Sequence, residues 1–377
     1  MIGTYLIKRH AQNLIETTSN GGIKHIKLPR RRSNMFKVTR QDSPSSAVFH
    51  VNGVDLSVVN SLRRTILAEI PTLAFDDIQI LENTSPIHNE FLAHRIGLIP
   101  IHVAPSDIHL VQSYVFKINV KNVGNDVVCV TSGDFRGYDP EGNEVDVSGL
   151  FPANKITGDH ILITKLMPNY YALSNGQSVV MECRTTVNIA KTHARYSNIS
   201  KCSFMNSLDE EAIAVARKSV TTEKAGRFEH NEKFRIFKKN AWGEPCEFEF
   251  YIDTENSMDP VSILKESLTI LKQKVAGYLD KEGVTYKELR KGFWEIFIPG
   301  EDYTLVNMLQ CLTYNYEMRE LGSNMNSIEY IGYYQPHPLK EEMILKVALK
   351  DGVTDIAEVL KNHRARIIEV LENIHIE

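Results

Sequence analysis

The chain has 377 residues, 42% hydrophobic and 24% charged, with a formal net charge of −4. That length accommodates two or three domains of roughly 100–200 residues, and the acidic balance argues against a protein that binds nucleic acid on its own, which would carry a basic surplus. Five cysteines, none in C-x-x-C spacing, argue against a disulfide framework or a four-thiolate zinc site and for a reducing compartment, and no apolar run approaches about 18 residues, so no membrane span is expected.

Residues 1–35 read as an extension containing Gly21-Gly22 and the basic run Arg30-Arg31-Arg32. That run is either a solvated arm or a phosphate-binding or nuclear-import segment. Residues 1–20 carry Lys8, Arg9 and Glu16 and lack an apolar signal core. Val48 to Val51 reads as a strand and Asn52-Gly53 as a turn. Asp55 or Ser57 can cap the following helix, because a short side-chain oxygen accepts from the free N–H groups of the first turn. Val59, Leu62, Ile66 and Ile70 recur at helical spacing and form one apolar stripe, which Pro71 ends. Arg63 and Arg64 lie off the stripe. Ile78 to Ile80 alternates as a strand, and a second helix spans Asn89 to Arg95 with Gly97 as its closing glycine.

About 140 residues, from 103 to 246, then separate this unit from a long amphipathic helix bearing Leu264, Leu268, Leu271, Val275 and Leu279. The intervening stretch reads as its own domain. It has strand-like runs at Tyr114–Val120, Val127–Val130 and Val179–Val187, a turn at 139–143, and a charged, partly loop-like segment from Asp209 to Lys239.

The same order then recurs. Ile296 to Ile298 is a strand, Pro299-Gly300 a turn, and a helix from Thr304 presents Leu305, Leu309, Leu312 and Tyr316. Ile328 to Tyr330 and Met343 to Val347 are strands. A last helix presents Ile356, Leu360, Ile367, Leu371 and Ile374. The motif G-x-D-x-[S/T]-[V/L]-V-N-x-L occurs at Gly53–Leu62 and again at Gly300–Leu309. One polypeptide therefore carries two related half-units, and packing them helix to helix would bury both sets of stripes.

No residues form a recognisable active site. Asp139, Glu141, Asn143 and Asp146 resemble a calcium loop, but the glycine is misplaced and the closing glutamate is missing. His88, His94 and His102 match no ligand spacing, and there is no phosphate loop or nucleophile elbow. Arg63, Arg64 and Arg95 are either solvated helix faces or cations that pair with carboxylates of a partner.

The residues also carry a resemblance. Asn60-Ser61-Leu62-Arg63-Arg64 and its continuation to Pro71, with residues 80–85 and 90–100, resemble the third-largest subunit of eukaryotic RNA polymerase II, a family that includes the archaeal D polypeptide and the bacterial alpha N-terminal domain. Residues 190–197 are similar to that family's insert-domain motif, with Arg195 and Tyr196 where Lys and Trp are commoner. Residues 301–309, 330–333 and 336–339 resemble the small partner of that subunit, the archaeal L polypeptide. The likeness spans about residues 36–377.

The resemblance implies an α+β fold, with two dimerisation units packed as an intrachain pseudo-dimer and the first interrupted by an inserted, mainly β domain. The expected divisions are an extension at 1–35, a first unit at 36–102 plus 247–280, an insert at 103–246, a linker at 281–293 and a second unit at 294–377. It implies a non-catalytic platform for the two largest polymerase subunits and for a small subunit similar to the tenth of RNA polymerase II, with DNA and RNA met only through the complex. Arg63, Arg64, Arg95 and Gly97 are the expected large-subunit interface. Fusion on one chain is similar to the arrangement in African swine fever virus and related large DNA viruses. That implies a viral subunit, with the host cytoplasm (viral factory) and the virion as its location, or the nucleus. The zinc loop of eukaryotic members and the iron–sulfur cluster of some archaeal ones need clustered cysteines that this chain lacks, so no metal or other cofactor is expected. A stand-alone transcription or DNA-binding factor using the run at 30–32 is the alternative.

Overall fold

A computed structural model describes residues 35–103, 107–168, 176–221, 225–255, 258–319 and 327–377. The basic run Arg30–Arg32 lies outside these residues. The first half opens with the hairpin β1 (Met35–Ser43) and β2 (Ser46–Asn52), then α1 (Leu56–Ala68). Next come β3 (Thr72–Asn83), α2 (Asn89–Gly97) and α3 (Ile108–Gln112). The chain continues through β4 (Val115–Lys121), β5 (Val128–Thr131), β6 (Arg136–Tyr138), β7 (Glu144–Val145), β8 (Leu162–Leu166) and β9 (Ser178–Asn188). It returns through β10 (Ile199–Asn206), α4 (Glu210–Lys218) and β11 (Glu247–Thr254) to α5 (Pro260–Gly277). The second half holds β12 (Thr285–Arg290), β13 (Phe293–Pro299), α6 (Tyr303–Tyr314), β14 (Ile328–Tyr334), β15 (Glu342–Leu349), α7 (Ile356–Glu372) and β16 (His375–Ile376).

The two copies of the repeat fold alike. Gly53 (φ 75°) and Gly300 (φ 66°) both take the left-handed backbone that favours glycine. Two residues on, Asp55 Oδ1 accepts from the Ser57 N–H at 2.8 Å, and Asp302 Oδ1 accepts from the Thr304 N–H at 2.8 Å. The long helices start the same way, on Asp259 and Asp355. Each aspartate satisfies N–H groups that have no partner inside the helix.

Helices α1, α5, α6 and α7 and two sheets share one core. The first sheet runs β10-β11-β2-β1-β16 and the second β12-β13-β15-β14. Between them α1 packs on α5 and α6, and α7 packs on the same two helices. Val59, Leu62 and Ile66 of α1, Leu264, Leu268 and Leu271 of α5, Leu305, Leu309 and Leu312 of α6, and Leu360, Ile367 and Leu371 of α7 all belong to this single buried cluster. The first sheet also borrows from the second half. β16 lies parallel to β1, with the Val38 N–H donating to Glu377 O at 2.8 Å and the Glu377 N–H to Phe36 O at 2.9 Å.

The boundaries differ from those expected. β3 and α2, assigned to the first unit, belong to the insert: β3 pairs antiparallel with β9 and extends the sheet β3-β9-β4-β6-β7. Phe75 of β3 and Leu92 and Ile96 of α2 enter a second core with Phe116, Phe135 and Phe151. There the Phe75 ring meets Phe135 at 5.0 Å and Phe116 edge-on at 5.2 Å. Conversely β10, assigned to the insert, pairs with β11 in the first half's sheet. Local periodicity identifies a strand but not its partner some hundred residues away. Residues 281–293, expected to be a linker, contain β12, which pairs with β13; all six of its side chains are exposed, so no buried stripe marks it. Gly97 is the last residue of α2 rather than its left-handed stop, and Leu98 caps the helix in right-handed geometry. The charged stretch 209–239 includes α4, capped by Asp209.

A core shared by both halves predicts coupled unfolding. Leu62→Ala in the first half should cost about 2–5 kcal/mol. In a Trp242→Phe background, urea unfolding followed by the fluorescence of Trp294, which lies in the second half, should shift together with the far-ultraviolet circular dichroism. A Trp294 transition left unmoved would show separate cores.

Candidate functional site

The helix-capping aspartates also join the halves. Asp55 Oδ1 caps α1, while its Oδ2 accepts from Asn315 Nδ2 of the second half at 2.9 Å. Asp302 Oδ1 caps α6, while its Oδ2 lies 3.6 Å from the Arg64 guanidinium of the first half. Arg64 Nε also donates to Thr304 Oγ1 at 2.7 Å, and Ser61 Oγ donates to the Thr304 carbonyl at 3.0 Å. Each half thus lends one carboxylate oxygen to its own helix and the other to its partner. Burial alone would raise the Asp302 carboxyl, but hydrogen bonds from Thr304 and the charges of Lys191 and Arg64 hold it below the ordinary 3.8.

A second set of charges surrounds the crossover from α5 to β12. Lys274 of α5 donates to Glu69 Oε1 at 2.7 Å and lies 3.4 Å from Glu301 Oε2. Lys281 bonds the other Glu301 oxygen. Glu69 and Glu301 are both buried. Burial by itself would lower Lys274, yet Glu301 and Glu69 outweigh it and hold the ammonium above the ordinary lysine value. Arg364 of α7 reaches the Ala276 carbonyl at 3.0 Å and Asp280 Oδ2 at 2.6 Å. Tyr278 is buried, and Gly283 (φ 88°) turns the chain into β12. The crossover is therefore pinned at several points rather than a loose tether.

The first half's long excursion is tied in as well. Arg319 grips Glu244 through two bonds of 2.6 and 2.7 Å, with its guanidinium over the Trp242 and Tyr314 rings. That bidentate pairing draws the Glu244 carboxyl below its ordinary value. The segment 190–197 joins the insert to the core: the Lys191 N–H donates to the Ala68 carbonyl at 2.8 Å, and Arg195 reaches Phe75 O at 3.0 Å and Asp76 Oδ1 at 2.7 Å.

The four residues expected at a large-subunit interface sit in different settings. Arg63 is partly exposed on α1 and held by Asn60 Oδ1 at 3.0 and 3.2 Å. Arg64 turns to Asp302 and Thr304 of the second half. Arg95 is exposed on α2 but donates to the carbonyls of Ile163 (3.0 Å) and Leu162 (2.7 Å). Near it along the chain stand Phe91, 70% exposed, and Leu98, 49% exposed. Gly97 is buried, and a Cβ there would lie 3.5 Å from Phe75 O and 3.6 Å from the Arg195 guanidinium, so it can act only through its neighbours. Sequence reading missed Glu69, Lys274, Glu301, Asn315 and Arg319. One signal was present: the repeat places acidic Glu301 where the first half has apolar Val54, and both positions are buried.

Among the described residues no group of three or more His, Cys, Asp or Glu side chains could hold a metal. Asp139 Oδ1 accepts from the N–H groups of Glu141 and Asn143, so that turn consumes its own carboxylate. The thiols of Cys183 and Cys202 are pushed up to about 12 by burial. No described helix is long and apolar enough to cross a membrane.

The exchanged aspartates generate a prediction with a defined sign. Folding lowers the Asp302 pKa, so its contribution is present above the unfolded value of about 3.9 and fades as pH falls through the folded one. Asp302→Asn keeps a capping oxygen and should remove that part of the acid sensitivity in urea unfolding at about pH 3 against pH 7. Because Arg64 is nearly half exposed, its coupling to Asp302 in a double-mutant cycle should be only about 0.5 kcal/mol.

Two stretches match the RNA polymerase Rpb3/Rpb11 dimerisation domain, residues 48–275 and residues 294–377. The chain is also similar to several polymerase subunits. DNA-directed RNA polymerase subunit Rpo3 of Methanosphaera stadtmanae is 28% identical over 62% of this chain and 94% of its own length. DNA-directed RNA polymerase II subunit RPB3 of Schizosaccharomyces pombe is 30% identical over 63% of this chain and 84% of its own. Subunit RPAC1 of the human RNA polymerases I and III is 30% identical over 42% of this chain and 51% of its own. With two such domains packed on one core, the chain belongs to the RNA polymerase Rpb3/Rpb11 family and is a non-catalytic, Rpb3-like assembly subunit of a DNA-directed RNA polymerase.

Proposed function

We propose that the chain is two partner subunits fused into one, which pair in cis and offer a ready-made platform to the two largest subunits of the polymerase. The observation that carries this is the exchange at the helix starts, Asp55 with Asn315 and Asp302 with Arg64. It sets the halves against each other without a second chain. Linking partners covalently replaces a bimolecular encounter with an intramolecular one, and the pinned crossover restricts the geometry further.

Arg63 and the Arg95 region of α2 are the docking surfaces in this reading, and Gly97 shapes the second from beneath. Phe91 and Leu98 supply exposed apolar area near a cation, the mixture that interface anchors use. A small subunit similar to the tenth of RNA polymerase II would complete the assembly. Fusion of the two units, similar to that in large DNA viruses, supports a viral source, with the host cytoplasm (viral factory) and the virion as its place of action, or the nucleus.

A tagged chain recovered from its source tests the platform. Arg63→Glu combined with Phe91→Asp should cut copurification of the two largest subunits at least about tenfold, with thermal unfolding unchanged. Arg64→Glu should instead lower the melting temperature, because it sets a carboxylate against Asp302. Full copurification by the folded Arg63→Glu/Phe91→Asp variant would contradict the docking assignment.

A further inference from the structure

The sheet of the second half buries one face in the shared core, through Ile296, Ile298, Leu345 and Val347. Strand alternation sends the neighbouring residues to the opposite face. There the register β12-β13-β15-β14 lays out rows. One row is Arg290, Phe293, Ala348 and Tyr330. The next includes Lys287, Glu295, Lys346 and Gly332, and the third includes Phe297, Ile344 and Tyr334.

The small residues shape this face. Ala348 stands between Phe293 and Tyr330, and over it the two rings converge to 6.3 Å with planes only 19° apart. A Cβ added to Gly332 would lie 2.4 Å from the Tyr330 hydroxyl oxygen, so the tyrosine lies along its own strand across the glycine. Tyr330 remains 50% exposed and Tyr334 37%. Cations lie against the rings: the Arg290 guanidinium is 5.1 Å from the Phe293 centroid and Lys346 Nζ is 4.4 Å from that of Tyr334. Buried Glu295 positions the second pair, 3.3 Å from Lys346 Nζ and accepting from the Tyr334 hydroxyl at 3.2 Å. Glu342 at the margin pairs with Lys340 at 3.7 Å.

Exposed rings on a four-stranded sheet, interleaved with cations, are the arrangement with which proteins hold unpaired nucleic acid. Bases stack on the rings and phosphates meet the cations. A protein partner would favour continuous aliphatic area, whereas here the central row is charged. The chain's net −4 hides a local balance of Lys287, Arg290, Lys340 and Lys346 against Glu295 and Glu342. We propose that this face binds single-stranded nucleic acid, with Tyr330 and Tyr334 as stacking platforms and Arg290 and Lys346 as phosphate contacts. This goes beyond the platform role and does not depend on it.

Fluorescence anisotropy of the whole chain at low salt, with labelled single-stranded oligouridine, oligothymidine and a duplex, tests it. Both single strands should bind more tightly than the duplex, and any difference between them identifies RNA or DNA as the better ligand. Tyr330→Ala with Tyr334→Ala should weaken binding at least about tenfold. Lys346→Gln should flatten the salt dependence by about one counterion. Gly332→Val, which displaces the Tyr330 ring while deleting none, should also weaken it. Absence of binding, equal affinity for the duplex, or undiminished binding by the folded double variant would overturn the proposal; the last would assign binding to another part of the chain, such as Arg30–Arg32.

Discussion

Helices α1, α5, α6 and α7 each have an apolar stripe that one small sheet cannot cover, and the rest of the dimerisation core follows from that constraint. Leu62 and Leu264 come from one half, Leu309 and Leu360 from the other, and all are buried in the same cluster. Apolar area removed from water supplies the driving force, but it is not directional. Direction comes from the polar groups that cross the boundary: Asp55 with Asn315, Asp302 with Arg64, and Glu301 with Lys274. They specify which helix starts face which, at modest energies for the exposed members.

The elements that carry this arrangement were legible in the sequence. Asn52-Gly53 and Pro299-Gly300 read as turns, Asp55 or Ser57 as a helix cap, and the leucine stripes as faces in need of a common interior. All of these are local patterns. What was not legible was partnership. β3 alternates in the expected way, yet nothing in Ile78 to Ile80 says that its partner is β9. β12 carries no buried side chain, so an exposed strand read as a linker. Arg64 lies off the apolar stripe, as expected, but only the position of the other half shows that its exposed guanidinium also reaches Asp302 and Thr304. Residue type leaves Arg63 and Arg95 open between solvated helix faces and partner contacts, and only the family resemblance marks them as an expected interface, whereas the burial of Gly97 against Arg195 depends on a contact about a hundred residues away along the chain.

The insert is physically a separate problem. Its core is built on Phe75, Phe116, Phe135 and Phe151, a cluster distinct from that of the dimerisation core. It is held to the rest by the segment 190–197, whose Lys191 touches both the end of α1 and Asp302. The surface around Phe91 and Arg95 belongs to this insert, whereas Arg63 belongs to the dimerisation core. A platform that uses both must keep the insert at a fixed angle, and the Lys191 and Arg195 contacts are placed to do so.

In the reading proposed above, the two halves pair within one chain. Sedimentation equilibrium of the purified chain, across concentrations from below micromolar to about a hundred micromolar, measures whether they do. Pairing in cis satisfies both sets of helix stripes internally, so the mass should be that of a single chain throughout. A dimer that dissociates only with loss of secondary structure would show that each half pairs with the complementary half of another molecule, and would contradict it.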